Sequence, residues 1–212
     1  MNEYSPKEEK LNIISHAIGF LLSIVALFLL VVHATEFGDV RHIVSVSIFG
    51  GSLIVLYAAS TLYHSAKTHE LRRKLKIIDH SAIYVLIAGT YTPFTLITLN
   101  GTNGWVIFCV SWGMGLIGIA LKLFFTGKYK LISTLLYVLM GWMIVFAINP
   151  LIDNLPLDGL YWLIAGGVSY TIGAVLYSIK KIKFNHALFH VFVLIGSFCH
   201  FYSVFFYVLP SK

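Results

Sequence analysis

Charge is what this sequence has least of. Of 212 residues, only 11% are Asp, Glu, Lys or Arg, against about 25% in an ordinary soluble domain. Meanwhile 58% are hydrophobic and the mean hydropathy is +0.84. That combination excludes a disordered chain. It also excludes a soluble enzyme, because too little polar surface remains to cover the apolar bulk. Cysteine is nearly absent as well. Cys109 and Cys199 both sit in apolar runs, and with no Cys-x-x-Cys pair a disulfide scaffold is excluded. Internal repeats, low-complexity tracts and long linkers are missing too, so one domain over residues 1–212 is expected.

What the sequence does have is long apolar runs. About 20 apolar residues cross a bilayer as a helix. Runs of that kind cover about Leu11–Val32, His42–His64, Ile77–Leu99, Trp105–Leu123, Leu131–Pro150, Leu157–Ile179 and His186–Leu209. Backbone groups in lipid must be satisfied within the segment, and the alternation of barrel strands is missing. The predicted fold is therefore an all-α membrane protein, a bundle of seven transmembrane helices. The first run follows a segment bearing both acids and bases and is too long for a signal-peptide core, so cleavage is not expected.

The net charge of +6 follows the topology rather than a nucleic-acid partner. Thirteen of the fifteen Lys and Arg residues fall on the side of the N-terminus and of the second, fourth and sixth loops; Arg41 and Lys212 alone fall opposite. The positive-inside rule then predicts a cytoplasmic N-terminus and an outer C-terminus. Anionic lipid accounts for the basic loops, and no nucleic-acid motif accompanies them. Pro93 is expected to kink the third span. Gly113, Gly115 and Gly118 spell GxGxxG in mid-span with no preceding strand, which reads as close helix packing. Asn100-Gly101-Thr102 is a formal glycosylation sequon on the outer side.

Ionisable residues inside a membrane are expensive and mark function by default. Here they gather at one depth. His64 ends the second span, Asp79 opens the third, His186 and His190 open the seventh, and Asn12 and His16 open the first. His186 and His190 are i,i+4 on one helical face, as are Ser60 and His64. Three neutral imidazoles with one open position match a catalytic zinc site, with Asp79 orienting a His or hydrogen-bonding the metal's water. The plainer reading makes each histidine glue between helices, and Asp79 a partner of the basic second loop. Asn12 and His16 read as structural or supporting residues, and His80 as a secondary candidate facing away from Asp79. His200 lies roughly 21 Å along the helix from His186, too deep for the same ion, and reads as a packing residue. His33, His42 and His69 read as loop or interface residues, and Tyr84, Tyr91 and Thr92 as helix-packing residues.

Three ordered motifs give these residues a wider context: Glu9-x-x-Asn12-x-x-x-His16, Ser60-x-x-x-His64 followed by Asp79, and His186-x-x-x-His190 followed by His200-Phe201-Tyr202. In this order, over nearly the whole chain, the sequence resembles the hemolysin III family, within the progestin and adipoQ receptor family. The resemblance implies a cytoplasmic-side zinc site held by His64, His186 and His190, with Asp79 and Ser60 beside the metal's water. It implies a multi-pass protein of the plasma membrane, the cytoplasmic membrane in a bacterium. It also implies membrane lipid as the partner, taken as substrate by a zinc-dependent hydrolase of lipid amides (ceramide-like) or esters. Two alternatives stand beside that: a pore-forming cytolysin with a structural zinc, and a ligand receptor or sensor. The adiponectin-receptor branch has a long N-terminal extension that does not precede the first span here, so a hormone-receptor role is not expected. No soluble protein partner is implied, and the oligomeric state is open.

Overall fold

The computed structural model describes residues 4–126, 128 and 130–210. Among these every regular element is helical, and seven helical stretches are long and apolar enough to cross a membrane. They are Pro6–Phe37, Val40–Ser65, His69–Leu99, Gly101–Phe125, Leu131–Asn154, Leu157–Ser178 and Asn185–Val208. The chain is thus an all-α, seven-span membrane protein. Its outward side chains are apolar (Leu116, Leu139 and Phe146 are exposed), while Asn12, Ser45, Thr92, Thr95 and Ser203 are buried. That inversion is what a hydrocarbon solvent selects.

Several helices outrun their apolar cores because polar capping residues carry them into water. The first span starts at Pro6, where the Ser5 hydroxyl accepts the Glu8 amide and Glu8 and Glu9 complement the positive helix end. The second starts on an Asp39–His42 capping box. The third begins at His69 on a Thr68 cap, eight residues before the predicted Ile77.

Two spans carry local irregularities. Pro93 lies inside the third span, as expected, where the α-helix gives way to a π-helical turn, Phe94–Leu99, that finishes the span. Pro93 has no amide hydrogen to give, and the Thr95 hydroxyl donates to the Tyr91 and Thr92 carbonyls beside it. The fifth span is not one helix but three pieces: α-helix to Gly141, 3-10 turn over Met143–Ala147, then α-helix over Ile148–Asn154. Tyr91 stitches this break. Its hydroxyl donates to the Gly141 carbonyl at 2.7 Å and accepts the Ile144 amide at 3.0 Å. The glycine run is also only partly a packing surface. A Cβ on Gly118 would meet the Tyr84 ring at 2.4 Å, and one on Gly115 would make ordinary contacts, but Gly113 faces open space.

The spans are unequally enclosed. In the most apolar stretch of each, 67% of residues are buried in the third span and 56% in the second, but 22% in the fourth and 17% in the fifth. A cavity of about 280 Å³ lies among the third, fifth, sixth and seventh spans, walled mainly by Ile, Leu, Val and aromatic side chains.

Candidate metal centre

The site forms where the first, second, third and seventh spans meet at the N-terminal end of the bundle. The one-turn spacing of His186 and His190 puts both rings on the inward face of the seventh span, and the last turn of the second supplies His64. All three are buried, and one ring nitrogen from each lies within 4.8 Å of the others. The contacts run through Nε2: His64 to His186 at 3.0 Å, and His190 to His186 at 3.1 Å. Three imidazoles holding a zinc at 2.0–2.1 Å in tetrahedral geometry space their nitrogens by about 3.3 Å. Two of the three nitrogen pairs already lie within a few tenths of an ångström of that spacing.

The outward nitrogens decide what the inward ones offer. His64 Nδ1 lies 2.6 Å from the Glu9 carboxylate, an acceptor, so Nδ1 carries the proton and Nε2 a lone pair. His190 Nδ1 lies 3.3 Å from the Asn12 carbonyl and 3.2 Å from the Ser15 hydroxyl. The Ser15 proton is itself given to the Asn12 carbonyl, so His190 Nδ1 is also the donor and its Nε2 a second inward lone pair. Two lone pairs aimed at a third ring nitrogen make an electron-rich pocket, which a proton on His186 Nε2 or a bound metal ion satisfies. The donor set therefore fits a metal ion.

Around this core the first span contributes more than the sequence reading assigned to it. Glu9 appeared there only as a motif letter; in the fold it bridges His64 and the Arg72 guanidinium. Arg72 in turn lies over the Tyr63 ring. The Glu8 carboxylate accepts the His186 amide, and the Tyr4 ring stacks on the His186 ring at 4.6 Å. The signal for Glu9 was present: with Asn12 and His16 it follows the i, i+3, i+7 spacing of a single helical face. Asn12 and His16 are close to the ligands themselves. The Asn12 amide lies 3.5 Å from His64 Nδ1, and the His16 ring stacks on His190 at 3.5 Å.

Asp79 and Ser60 face each other beside the cluster. The Ser60 hydroxyl hydrogen-bonds the buried Asp79 carboxyl, and both line the cavity together with His186 and His190. The structure brings Asp79 to Ser60 and to the vicinity of His64, with Lys76 of the basic segment also acting on its carboxyl. His80 is half-buried on the cavity wall, where its carbonyl accepts the Tyr137 hydroxyl. His200 stands apart, with Nε2 3.3 Å from the Leu163 carbonyl and its ring against Tyr170, in the packing role its position suggests.

Comparison with known proteins follows the same residues. The family described as haemolysin-III related matches residues 4–201. The chain is 47% identical over 205 residues to Hemolysin-3 of Bacillus cereus, covering 97% of this chain and 94% of that one. It is 47% identical over 204 residues to the Hemolysin-3 homolog of Bacillus subtilis, covering 96% of each. A more distant likeness, 29% over 229 residues, reaches the ADIPOR-like receptor IZH2 of Saccharomyces cerevisiae, covering 91% of this chain and 69% of the yeast protein.

Proposed function

The chain belongs to the haemolysin-III-related family, among relatives of the adiponectin-receptor-like proteins, and from that premise we propose that it is a zinc-dependent hydrolase of lipid amide or ester bonds. The reading places it in the plasma membrane with the N-terminus and the histidine cluster on the cytoplasmic side, supported by the thirteen-to-two split of basic residues. One observation carries the proposal: three inward-facing histidine nitrogens sit beside a Ser60–Asp79 pair at the head of an apolar cavity.

His64, His186 and His190 are the residues that would hold the ion. When bound, zinc supplies Lewis acidity toward a carbonyl and makes hydroxide available near neutral pH. The remaining work belongs to the chain. Glu9 keeps the His64 proton on Nδ1 and so fixes the ring that faces inward. Asp79 takes the proton of the attacking water on a carboxylate oxygen and returns it to the departing nitrogen or oxygen as the C–N or C–O bond breaks. Ser60 orients that carboxylate by hydrogen bonding to it, a positioning role rather than contact with the developing oxyanion. The apolar walls beyond, from Ile83 to Val193, accept an acyl chain and exclude water from the reacting end.

The test is turnover of ceramide-like amides and of esters by the purified protein. Asp79→Ala is expected to lower turnover at least about 100-fold, the range of a lost general base, while zinc content stays near that of the unaltered protein. Unchanged turnover in that variant would remove Asp79 from the mechanism. A second reading, a cytolysin in which the metal is structural, is favoured by the name of the Bacillus cereus relative, Hemolysin-3. It expects membrane lysis that persists in Asp79→Ala.

A further inference from the structure

The fourth span carries a buried cation that the metal site does not use. Lys122, one turn before the span ends at Phe125, is 6% exposed. Its ammonium donates to the Ser133 hydroxyl at 2.6 Å and lies 5.4 Å from the centre of the Tyr137 ring. Among the described residues no carboxylate lies within ion-pair distance of it. An ammonium has three donors, and a hydroxyl with a ring face compensates little of a buried charge.

The surroundings show what completes it. A slot of about 260 Å³ opens between the fourth and fifth spans, with Lys122, Ser133 and Tyr84 at its back. Leu121, Phe125 and Ile132 at its mouth are exposed on the outer face of the bundle. Lys122 and Ser133 also line the central cavity, so they form the partition between it and the slot. The fifth span is the least enclosed of the seven, and the fourth is enclosed no more than the first. The slot is polar only at its back and apolar to its mouth, the profile of a single amphiphile lying head inward. Lys122 stands about 5 Å along the helix from its end at Phe125. Most basic residues fall in segments that emerge at this same end of the bundle, where they draw anionic lipid.

We propose that this slot binds an anionic phospholipid, its phosphodiester held by Lys122 Nζ and Ser133 Oγ and an acyl chain lying along Leu121, Phe125 and Ile132. Binding of this kind needs neither the metal nor turnover, and it stands whether or not the hydrolase reading does.

The experiment counts lipids retained by the full chain in mild detergent, by native mass spectrometry. The chain is titrated with dioleoylphosphatidylglycerol, with dioleoylphosphatidylcholine and with oleate. The unaltered protein is expected to hold one phosphatidylglycerol with a preference of about five- to tenfold over phosphatidylcholine, the effect of one basic residue on an anionic headgroup. Lys122→Met should abolish the preference, Lys122→Arg should keep it, and Lys128→Met, at an exposed lysine of the same end, should leave it unchanged. Equal retention of the two phospholipids by the unaltered protein overturns the proposal, and so does a preference that survives in Lys122→Met. Tighter retention of oleate than of phosphatidylglycerol overturns the phosphodiester assignment. Should Lys122→Met fail to elute as a folded species, the headgroup comparison on the unaltered protein and on Lys122→Arg still decides.

Discussion

The seventh span holds the same side chain in two settings. His190, near its start, and His200, near its end, are both buried, 1% and 5% exposed, and each has a ring nitrogen 3.3 Å from a backbone carbonyl. The difference lies in what the other nitrogen meets. In His190 the carbonyl takes the Nδ1 proton and turns Nε2 toward His186. In His200 the carbonyl takes the Nε2 proton, and among the described residues Nδ1 meets no hydrogen-bond partner. His200 fills space instead: a Cβ on Gly166 would meet its ring at 2.4 Å, so the absent side chain there makes its seat. Burial and a hydrogen bond therefore do not distinguish a candidate ligand from a histidine that only fills space; convergence with other ring nitrogens does.

The largest effect that bears on this contrast comes from removing one setting at a time. His186→Ala/His190→Ala is expected to reduce zinc in the detergent-purified protein from about one ion per chain to background, read by elemental analysis, because a single remaining imidazole cannot hold the ion. His200→Ala should keep the zinc and instead destabilise the fold by about 1–3 kcal/mol, the cost of a lost buried hydrogen bond and of the space the ring leaves. Loss of zinc in His200→Ala, or its retention in the double variant, would erase the distinction between the two settings.

The next effect is smaller and tests how the ligand setting is maintained. Glu9→Gln leaves His64 a neutral acceptor and weakens its grip on the Nδ1 proton. Zinc affinity, measured by competition against a chelator, is expected to fall about 10–100-fold, as for other groups that orient a metal-bound histidine. An unchanged affinity would mean that the ring is held by packing alone.

The two settings were unequally legible in the amino-acid sequence. The number of spans and the meeting of His64, Asp79, His186 and His190 could be read because hydropathy and i,i+4 spacing are local properties, and alternating helices return to the same depth. Glu9 was passed over because an acid just inside a helix start reads as an ordinary first-turn charge; only the fold shows it reaching 55 positions along the chain to His64. The break in the fifth span was hidden for a related reason. Its repair comes from the Tyr91 hydroxyl on another span, and nothing in the sequence from Leu131 to Asn154 announces a partner 50 residues upstream. Helix ends were misjudged where capping residues such as Thr68 extend the helix into water, past the point where apolarity stops.

A third histidine takes the comparison to the exposed limit, where the smallest effect is expected. His42 Nδ1 lies 2.7 Å from the Asp39 carboxylate, almost the 2.6 Å of His64 and Glu9. The Asp39 side chain is 64% exposed, however, against 10% for Glu9. Equal distances in water and in a buried site are unequal interactions, since exposed charges are solvated and screened. Hydrogen bonding from His42, first through its ring and then through its backbone amide, holds the Asp39 carboxyl below its usual range, with Arg41 adding to this. A carboxyl depressed in the folded state contributes stability above its unfolded pKa, and that contribution is lost as pH falls through the folded one. Asp39→Asn should therefore lower the melting temperature only slightly at pH 7. The gap between variant and unaltered protein should begin to close as pH falls below about 4. Added salt should narrow it at neutral pH, and zinc content should not move. A gap as large as that of Glu9→Gln, or one indifferent to salt, would show that distance rather than burial sets the strength of these contacts.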